Sequence, residues 1–280
     1  MTAARPPRYA VIGNPVAHSK SPRIHALFAQ QTGKALEYGL LPAELDGFAQ
    51  VVRTFFAQGG AGLNVTVPFK EQAHTLADVL SARAKAAGAV NTLWMQDGRL
   101  HGCNTDGVGL VGDLVRLGVR LSGARVLMVG AGGAARGVLQ PLIDAGCTLL
   151  RIVNRNASRA HELAAAWQGV APVQAGGLAD AAVDGGWDVV INATSTGLAG
   201  QAPQLPSGLY AEGGVAYDMM YGPKPTPFLV QARADGAALC ADGLGMLVGQ
   251  AAESFRIWHG VRPDPEPVLQ RLRAELSAAA

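Results

Sequence analysis

The first hundred or so residues alternate short apolar runs with segments whose apolar residues recur at helical spacing. The apolar runs lie at 9–13, 36–41 and 62–67 and predict strands. Between them, apolar residues within 24–28 and 45–55 recur at the intervals that are typical of one helix face. Strands that alternate with helices favour a parallel or mostly parallel sheet. We therefore expect an α/β fold.

The pattern then continues into a hairpin. A helix is predicted from about 71 to 87, followed by a strand at 89–94 and a returning strand at 99–103. Asp97 and Gly98 lie between these two strands, and an Asp-Gly pair favours the tight turn of a hairpin. The sheet of this part of the chain is therefore expected to be mostly, but not entirely, parallel.

The middle of the chain predicts a second sheet. The apolar strand 125–129 runs into a glycine-rich turn at 130–136, and a helix follows. A strand, a glycine-rich turn and a helix in this order form the dinucleotide-binding arrangement of Rossmann-like folds. Further strands are predicted at 149–153, 187–192, 215–219 and 237–240.

A chain of 280 residues is long for a single hydrophobic core, which favours two lobes. The helix predicted at 107–118 is expected to bridge them. An apolar helix after the last strand and a helical tail are expected to pack back on the first lobe. The predicted domains are an α/β substrate-binding domain of residues 1–107 plus 242–280 and a Rossmann-like domain of residues 108–241.

Composition narrows the classes of partner. With 49% hydrophobic and 16% charged residues the chain is typical of a well-packed enzyme, and its net charge of +2 comes without a basic stripe. Nucleic acid and anionic membranes are therefore not expected as partners. Cys103, Cys147 and Cys240 have neither disulfide-framework nor metal-ligand spacing, and no signal peptide or membrane-length apolar run is present. We expect a cytoplasmic protein without a metal site.

The strand at 62–67 carries polar side chains where a buried strand should be apolar. Asn64 and Thr66 alternate with apolar neighbours, Pro68 ends the strand, and Lys70 lies just past the strand end. A lysine held near apolar walls is suited to proton transfer. The alternative is a solvated lysine after a proline turn.

Other polar residues fall at strand ends of the same lobe. Asn91, Thr105 and Asp106 are expected to converge with Asn64, Thr66 and Lys70. Amides, hydroxyls, one ammonium and one carboxylate suit a small polyhydroxylated substrate, and a Lys–Asp pair joined by a substrate hydroxyl can relay a proton. The alternative is a buried Lys–Asp pair that only orders the lobe.

A second candidate site lies at the first helix. Ser21 followed by Pro22 predicts an N-cap and the first helical position. The free N–H groups of this helix start, with the hydroxyls of Ser19 and Ser21, are suited to a small anion such as a carboxylate. Alternatively, Ser21 only caps its helix.

The glycine-rich turn and the strand after it predict the cofactor. Backbone N–H groups of the turn are expected to receive a pyrophosphate; its residues are Gly130, Ala131, Gly132, Gly133 and Ala134. The next strand leads into Asn154, Arg155, Asn156 and Arg159 and offers no acid for a ribose hydroxyl. Arginines suit a 2′-phosphate, so NADP is favoured over NAD. Two solvated arginines at a helix start are the alternative.

Six motifs, in order and spread over nearly the whole chain, resemble the shikimate dehydrogenase family, which includes shikimate/quinate dehydrogenases. They are Ser-x-Ser-Pro at 19–22, Asn-Val-Thr-Val-Pro-Phe-Lys at 64–70, Gly-Ala-Val-Asn-Thr at 88–92, Asn-Thr-Asp-Gly at 104–107, Gly-Ala-Gly-Gly-Ala at 130–134 and Asn-Arg-x-x-x-Arg at 154–159.

The resemblance implies NADP-dependent reduction of 3-dehydroshikimate to shikimate in aromatic amino-acid biosynthesis. We expect a monomer or a homodimer. It implies that Ser19 and Ser21 hold the substrate carboxylate and that Lys70 with Asp106 acts as the acid/base. The remaining implied substrate ligands are Asn64, Thr66, Asn91, Thr105, Tyr221 and Gln250.

The resemblance also assigns cofactor contacts. Residues 130–134 bind the pyrophosphate, residues 154–159 the 2′-phosphate, and Met219 and Gly243 the nicotinamide end. Many NADP-using members have Thr where this chain has Asn156, whose amide can still donate to a phosphate. The alternatives are a quinate/shikimate dehydrogenase with relaxed cofactor use and a non-catalytic module that senses NADP or a metabolite.

Overall fold

The computed structural model describes residues 5–278, without the side chains of residues 198 and 199. The chain forms two compact units. The first runs to Gly109 and resumes at Val248–Leu269, and the second comprises Leu110–Leu247 and resumes at Gln270. In the part of the chain described, no helix is both long enough and apolar enough to span a membrane.

The tail differs from the expectation that it packs wholly on the first lobe. From Gln270 onward the tail belongs to the second unit. There Arg273 forms an ion pair with Asp242, with 2.8 Å between Nη1 and Oδ2. A bidentate arginine–carboxylate pair explains this placement physically. The domain boundaries at 107 and 242 stay a prediction.

The first unit contains a six-stranded sheet in the order β2-β1-β3-β5-β6-β4. Its strands are β1 (Arg8–Gly13), β2 (Glu37–Pro42), β3 (Gly60–Val65), β4 (Val79–Leu80), β5 (Thr92–Gln96) and β6 (Arg99–Cys103). Three of the pairings are parallel, whereas β5 runs antiparallel to β3 and β6. The predicted mostly parallel sheet and the hairpin are confirmed; Asp97 and Gly98, with φ of 51° and 73°, form its turn.

Helices surround this sheet in the first unit. They are α1 (Ser21–Thr32), α2 (Phe48–Ala57), α3 (Lys70–Leu76) and α4 (Ala82–Ala87). The prediction of one continuous helix from about 71 to 87 is therefore wrong, since β4 separates α3 from α4. Asp78 explains the break, because its carboxylate accepts the N–H of Leu100 at 2.8 Å and draws the chain onto the sheet. Ser81 then caps the next helix by accepting the N–H of Ala84 at 3.2 Å.

The segment 62–70 also departs from its prediction. The strand ends at Val65, and Val67 is 53% exposed instead of buried. The reason is a turn: the carbonyl of Thr66 accepts the N–H of Phe69 at 3.0 Å. Phe69 packs against Phe48 in the core, with ring centroids 4.8 Å apart. Lys70, expected just past the end of the strand, is the first residue of α3.

The second unit contains a parallel six-stranded sheet in the order β12-β11-β10-β7-β8-β9. Its strands are β7 (Arg125–Val129), β8 (Leu149–Val153), β9 (Val173–Gly176), β10 (Trp187–Asn192), β11 (Tyr210–Asp218) and β12 (Leu239–Asp242). Counted from β7, this is the doubly wound order of Rossmann folds, so the predicted fold class is confirmed. The sequence did not predict β9, whose four residues, Val-Gln-Ala-Gly, are only partly buried.

The remaining helices complete the chain. They are α5 (Asp106–Arg116), α6 (Gly133–Asp144), α7 (Ala157–Ala165), α8 (Pro227–Ala234), α9 (Leu244–His259) and α10 (Pro265–Ala278). The central strand β7 is buried on both faces, which is typical of a sheet covered by helices on both sides.

Candidate active site

The Lys70–Asp106 pair of the first unit is an ion pair that is mostly shielded from solvent. Nζ of Lys70 lies 2.7 Å from Oδ2 of Asp106, and the two side chains are 15% and 5% exposed. The other carboxylate oxygen accepts a hydrogen bond from the amide of Asn91 at 2.9 Å. Asn104 fixes the start of α5, because its amide oxygen accepts the N–H of Asp106 at 3.0 Å. The carboxylate is thus held firmly, while the ammonium keeps N–H bonds for a ligand.

Asn91 joins this pair to two further residues. Its amide oxygen accepts the N–H of Thr105 at 2.9 Å, and its nitrogen lies 2.9 Å from Oγ1 of Thr105. The same nitrogen lies 3.3 Å from Oε1 of Gln250, which extends from α9. The structure therefore brings together five of the residues singled out above: Lys70, Asn91, Thr105, Asp106 and Gln250.

Asn64 joins the same network directly, since its amide nitrogen donates to the carbonyl oxygen of Asn91 at 3.2 Å, and also through two residues that the sequence did not single out. Its amide nitrogen lies 3.0 Å from Oγ of Ser254 and 3.4 Å from Oγ1 of Thr92. Thr92 and Ser254 are fully buried and 2.8 Å apart. One signal was available for Ser254, since it lies four residues after Gln250 and shares its helix face. Buried polar groups that all have hydrogen-bond partners form a rigid site.

Thr66 stands apart from this network. Its backbone N–H donates to the carbonyl of Ile12 at 2.9 Å. Its methyl carbon packs over Gly13, where an added Cβ would approach it to 2.4 Å. Among the described residues, no hydrogen bond joins the Thr66 side chain to the Asn91 network. The structure thus places Thr66 at the end of β3, next to Asn64 but outside the network.

The serine pair, Ser19 and Ser21, lies at the start of α1. The predicted N-cap at Ser21 is wrong: Lys20 occupies that position, and Ser21 is the first residue of the helix. The cause is the ST-type turn of Ser19, whose hydroxyl oxygen accepts the N–H of Ser21 at 3.3 Å. The two hydroxyls are 3.2 Å apart, so they form one polar surface at the helix start.

The glycine-rich turn of the second unit has the backbone that a dinucleotide requires. Gly130 adopts φ of +113°, and its N–H donates to the carbonyl of Val153 at 2.7 Å. The next glycine, Gly132, is the N-cap of α6 and has open space where a Cβ would stand. Ala135, at the third position of the glycine fingerprint, is fully buried in the core. The bare N-terminus of α6 therefore fits a pyrophosphate.

The loop after β8 carries the candidate phosphate ligands. Arg155 and Arg159 are exposed, and Asn156 caps α7 by accepting the N–H of Ser158 at 3.1 Å. The amide of Asn154 donates to the carbonyl of Asn156 at 2.9 Å and orders the loop. Two guanidinium groups at a helix N-terminus are the donor set that a phosphate monoester favours.

Met219 and Gly243 are brought together within the second unit. A Cβ on Gly243 would lie 2.2 Å from the carbonyl oxygen of Met219, so only glycine allows this approach.

The loop after β11 is held in place by hydrogen bonds to Asp218, a residue that the sequence did not single out. Tyr221 lies in this loop, and burial raises its pKa.

Asp218 is fully buried and joins the end of β10 to the loop that follows β11. Its carboxylate accepts hydrogen bonds from Asn192 at 3.1 Å, the N–H of Met220 at 3.0 Å and Thr226 at 2.5 Å. Burial raises the pKa of Asp218, whereas these hydrogen bonds oppose that rise. Asp218 therefore fixes the position of Met219 without being exposed itself.

Three family models match consecutive parts of the chain. The shikimate dehydrogenase substrate binding domain matches residues 11–93. The shikimate / quinate 5-dehydrogenase model matches residues 114–199, and the shikimate 5'-dehydrogenase C-terminal domain matches residues 243–273.

Related proteins match this chain over nearly its whole length. A shikimate dehydrogenase (NADP(+)) from Bordetella petrii is 67% identical, with 99% of each chain covered. Shikimate 5-dehydrogenase from Thermus thermophilus was solved in complex with NADP(H) and shikimate. Its sequence is 36% identical to this chain and its structure superposes with a TM-score of 0.86. The match covers 96% of this chain and 100% of that one. An Ael1 enzyme from Pseudomonas putida is 45% identical with a TM-score of 0.88, over 95% and 98% of the two chains. The chain belongs to the shikimate dehydrogenase family.

Proposed function

We propose that the protein catalyses the reversible, NADP-dependent reduction of 3-dehydroshikimate to shikimate. The observation that carries this proposal is the Lys70–Asp106 pair, 2.7 Å apart and hydrogen-bonded to Asn91, in a chain of this family. An ammonium and a carboxylate held beside paired amides and hydroxyls suit the oxygen that changes between carbonyl and alcohol.

The substrate is recognised by groups of the first unit. The serine pair binds the carboxylate with two hydroxyl donors at a helix start. The ring hydroxyls are bound by the buried polar network and by residues beside it: Asn64, Thr66, Asn91, Thr105 and Gln250. Tyr221, from the second unit, is proposed as a further ligand. Because the side chains of this network hydrogen-bond to one another, little reorganisation accompanies binding.

The Lys70–Asp106 pair supplies the proton that the carbonyl oxygen gains during reduction. In the reductive direction Lys70 donates a proton to the carbonyl oxygen as that oxygen becomes an alcohol. Asp106 stabilises the ammonium before the transfer and orients its N–H bonds. The pair regains a proton from solvent, and in the oxidative direction it accepts the proton of the hydroxyl.

The cofactor is held by the second unit. NADPH, when bound, supplies the hydride that adds to the carbonyl carbon. The turn at 130–134 receives the pyrophosphate with backbone N–H groups, and Asn154, Arg155, Asn156 and Arg159 bind the 2′-phosphate. Met219 and Gly243 would contact the nicotinamide end.

The test is an assay of cofactor reduction by the purified protein with shikimate or quinate and with NADP or NAD. We expect rapid turnover only with shikimate and NADP. Turnover with quinate or NAD at a similar rate would favour a quinate/shikimate dehydrogenase. Binding of NADP without turnover in any of the four combinations would contradict the enzymatic function and favour a sensing module.

A further inference from the structure

The last helix of the chain contributes an arginine to the second unit. Arg273, on α10, binds the carboxylate of Asp242 through both terminal nitrogens: Nη1 lies 2.8 Å from Oδ2, and Nη2 contacts Oδ1. The side chain of Asp242 is only 11% exposed, whereas that of Arg273 is 45% exposed. A planar guanidinium that meets both oxygens of a carboxylate fixes the orientation of that carboxylate.

Asp242 lies where β12 ends and α9 begins. Its Oδ1 accepts the backbone N–H of Leu244 at 3.2 Å, which satisfies one of the free donors at the start of α9. The same carboxylate therefore joins the ion pair of Arg273 to the first turn of a helix. Between Asp242 and Leu244 lies Gly243, which is proposed above for the nicotinamide end of the cofactor.

The backbone of Gly243 is held tightly on its own side of this turn. Its N–H donates to the carbonyl of Met220 at 3.0 Å, and its carbonyl accepts the N–H of Leu247 at 2.9 Å. A Cβ on Gly243 would lie 2.2 Å from the carbonyl oxygen of Met219, so the two backbones are in close contact. A displacement of Gly243 therefore disturbs Met219 as well.

The carboxylate of Asp242 depends on its counter-ion. A charged group that is largely shielded from water is destabilised when its partner is removed. Without Arg273, we expect the Asp242 carboxylate to turn toward solvent and to give up the N–H of Leu244. The turn that carries Gly243 would then lose one of its fixed ends.

We propose that Arg273 is a positioning residue that, through Asp242, holds Gly243 beside Met219 for the nicotinamide end of NADP. This proposal rests on the proposed function, which assigns the nicotinamide end to Gly243 and Met219. The last helix is thereby part of the cofactor site, although none of the six sequence motifs includes it.

The primary test is Arg273→Ala, with ligand binding measured by isothermal titration calorimetry. The two ligands are NADP and adenosine 2′,5′-bisphosphate, which carries the 2′-phosphate but has no nicotinamide. We expect the dissociation constant of NADP to rise roughly 3- to 10-fold, the effect of losing one net hydrogen bond. The dissociation constant of the bisphosphate and the KM for shikimate should not change.

Arg271→Ala is the matched control. Arg271 lies on the same helix and forms an ion pair with Glu275 at 3.5 Å, and both of these side chains are exposed. This variant removes the same charge from α10 but leaves Asp242 paired, so the affinity for both ligands should not change. Thermal unfolding of each variant shows that it is folded.

Asp242→Asn separates positioning from a direct effect of charge on the cofactor. The amide oxygen of asparagine can still accept the N–H of Leu244, but a neutral amide needs no counter-ion. If Arg273 acts by holding the Asp242 carboxylate, adding Arg273→Ala to Asp242→Asn should change the dissociation constant of NADP by less than about twofold. If Arg273 instead attracts the cofactor phosphates, the loss should be equal in both backgrounds.

Three results would overturn the proposal. They are an unchanged dissociation constant of NADP in Arg273→Ala, an equal weakening of NADP and the bisphosphate, and the same weakening of NADP in the Asp242→Asn background. A wild-type protein that binds NADP without turning over shikimate would instead contradict the proposed function. Assaying the wild type first therefore distinguishes the two failures.

Discussion

The substrate network of the first unit and the cofactor groups of the second are built in opposite ways. Asn91, Thr105 and Asp106 are each at most 4% exposed and satisfy one another with side-chain hydrogen bonds. The proposed 2′-phosphate ligands, Arg155 and Arg159, are exposed on the surface. The proposed substrate ligands are therefore fixed by buried polar groups, whereas the proposed 2′-phosphate ligands are side chains that can change without disturbing the core.

This contrast has a physical basis. A buried donor or acceptor that loses its partner destabilises the protein by roughly 1–3 kcal/mol, so each member of the network constrains the others. An exposed arginine is solvated with or without its ligand, so its replacement leaves the fold intact. Substitutions in the two regions should therefore affect different quantities.

The largest effect is expected for Lys70→Ala. Removing the proton donor should lower kcat by about 10²–10⁴-fold, the usual contribution of a general acid, with a much smaller change in the KM for shikimate. Lys85→Ala is the control, because Lys85 is an exposed lysine near the end of α4. Steady-state kinetics of both variants make the measurement, and near-normal turnover of Lys70→Ala would remove Lys70 from the acid/base role.

A smaller effect is expected for Arg155→Ala in the exposed region. Loss of a charge-assisted hydrogen bond to the 2′-phosphate should raise the KM for NADP roughly 10- to 100-fold and leave the KM for shikimate unchanged. Because NAD has no 2′-phosphate, any residual activity with NAD is the internal control and should not fall. An equal loss with both cofactors would show that Arg155 stabilises the loop instead.

Asp218→Asn probes the buried part of the second unit. Asparagine has one acceptor oxygen where Asp218 has two, so it cannot satisfy all the donors of Asn192, Met220 and Thr226. We expect the free energy of unfolding to fall by about 1–3 kcal/mol, measured by urea denaturation. Unchanged stability would weaken the contrast, since buried polar groups would then be replaceable in this unit.

The smallest effect is expected for Glu253→Gln, which tests a partly solvated ion-pair cluster. Arg83 and Arg256 lie 2.8 Å from Oε1 of Glu253, and the arginine side chains are 35% and 47% exposed. Burial acts to raise the pKa of Glu253, but the hydrogen bonds and charges of the two arginines outweigh it and lower the pKa. We expect a loss of about 1 kcal/mol at pH 7, since solvent screens such pairs.

The pH dependence of this last variant has a definite sign. A carboxylate with a lowered pKa in the folded state stabilises the protein above its usual pKa, 4.5, and loses that contribution as the pH falls through the folded-state pKa. The difference in unfolding free energy between wild type and Glu253→Gln should therefore be constant near pH 7 and shrink below about pH 4.5. A difference that does not shrink would show that packing, not charge, stabilises the site.

The cofactor side was more predictable from sequence than the substrate side. Its signals are local: an apolar strand, glycines and a helix follow one another at 125–136, and two arginines follow the next strand. Such short-range patterns determine backbone conformation directly. The sequence could therefore place Gly130 and Arg155 on the correct elements, although their roles stay predictions.

The substrate side depends on contacts between distant parts of the chain. Asn64 meets Ser254 across 190 positions and Tyr38 across 26, and no periodicity predicts such contacts. Local rules also failed where tertiary contacts competed with them. Asp78 interrupted the helix predicted at 71–87 by binding the backbone of Leu100, and Ser19 displaced Ser21 from the cap of α1.

The most direct test of the account is the transfer of deuterium from labelled cofactor to product. NADPH that carries deuterium at the transferred position is incubated with 3-dehydroshikimate and the wild-type protein, and the product is analysed by mass spectrometry. If the protein transfers hydride from NADPH, the product is shikimate with one deuterium per molecule on the carbon that bears the new hydroxyl. Absence of shikimate, or shikimate without deuterium from either face of the labelled cofactor, would contradict hydride transfer by this protein.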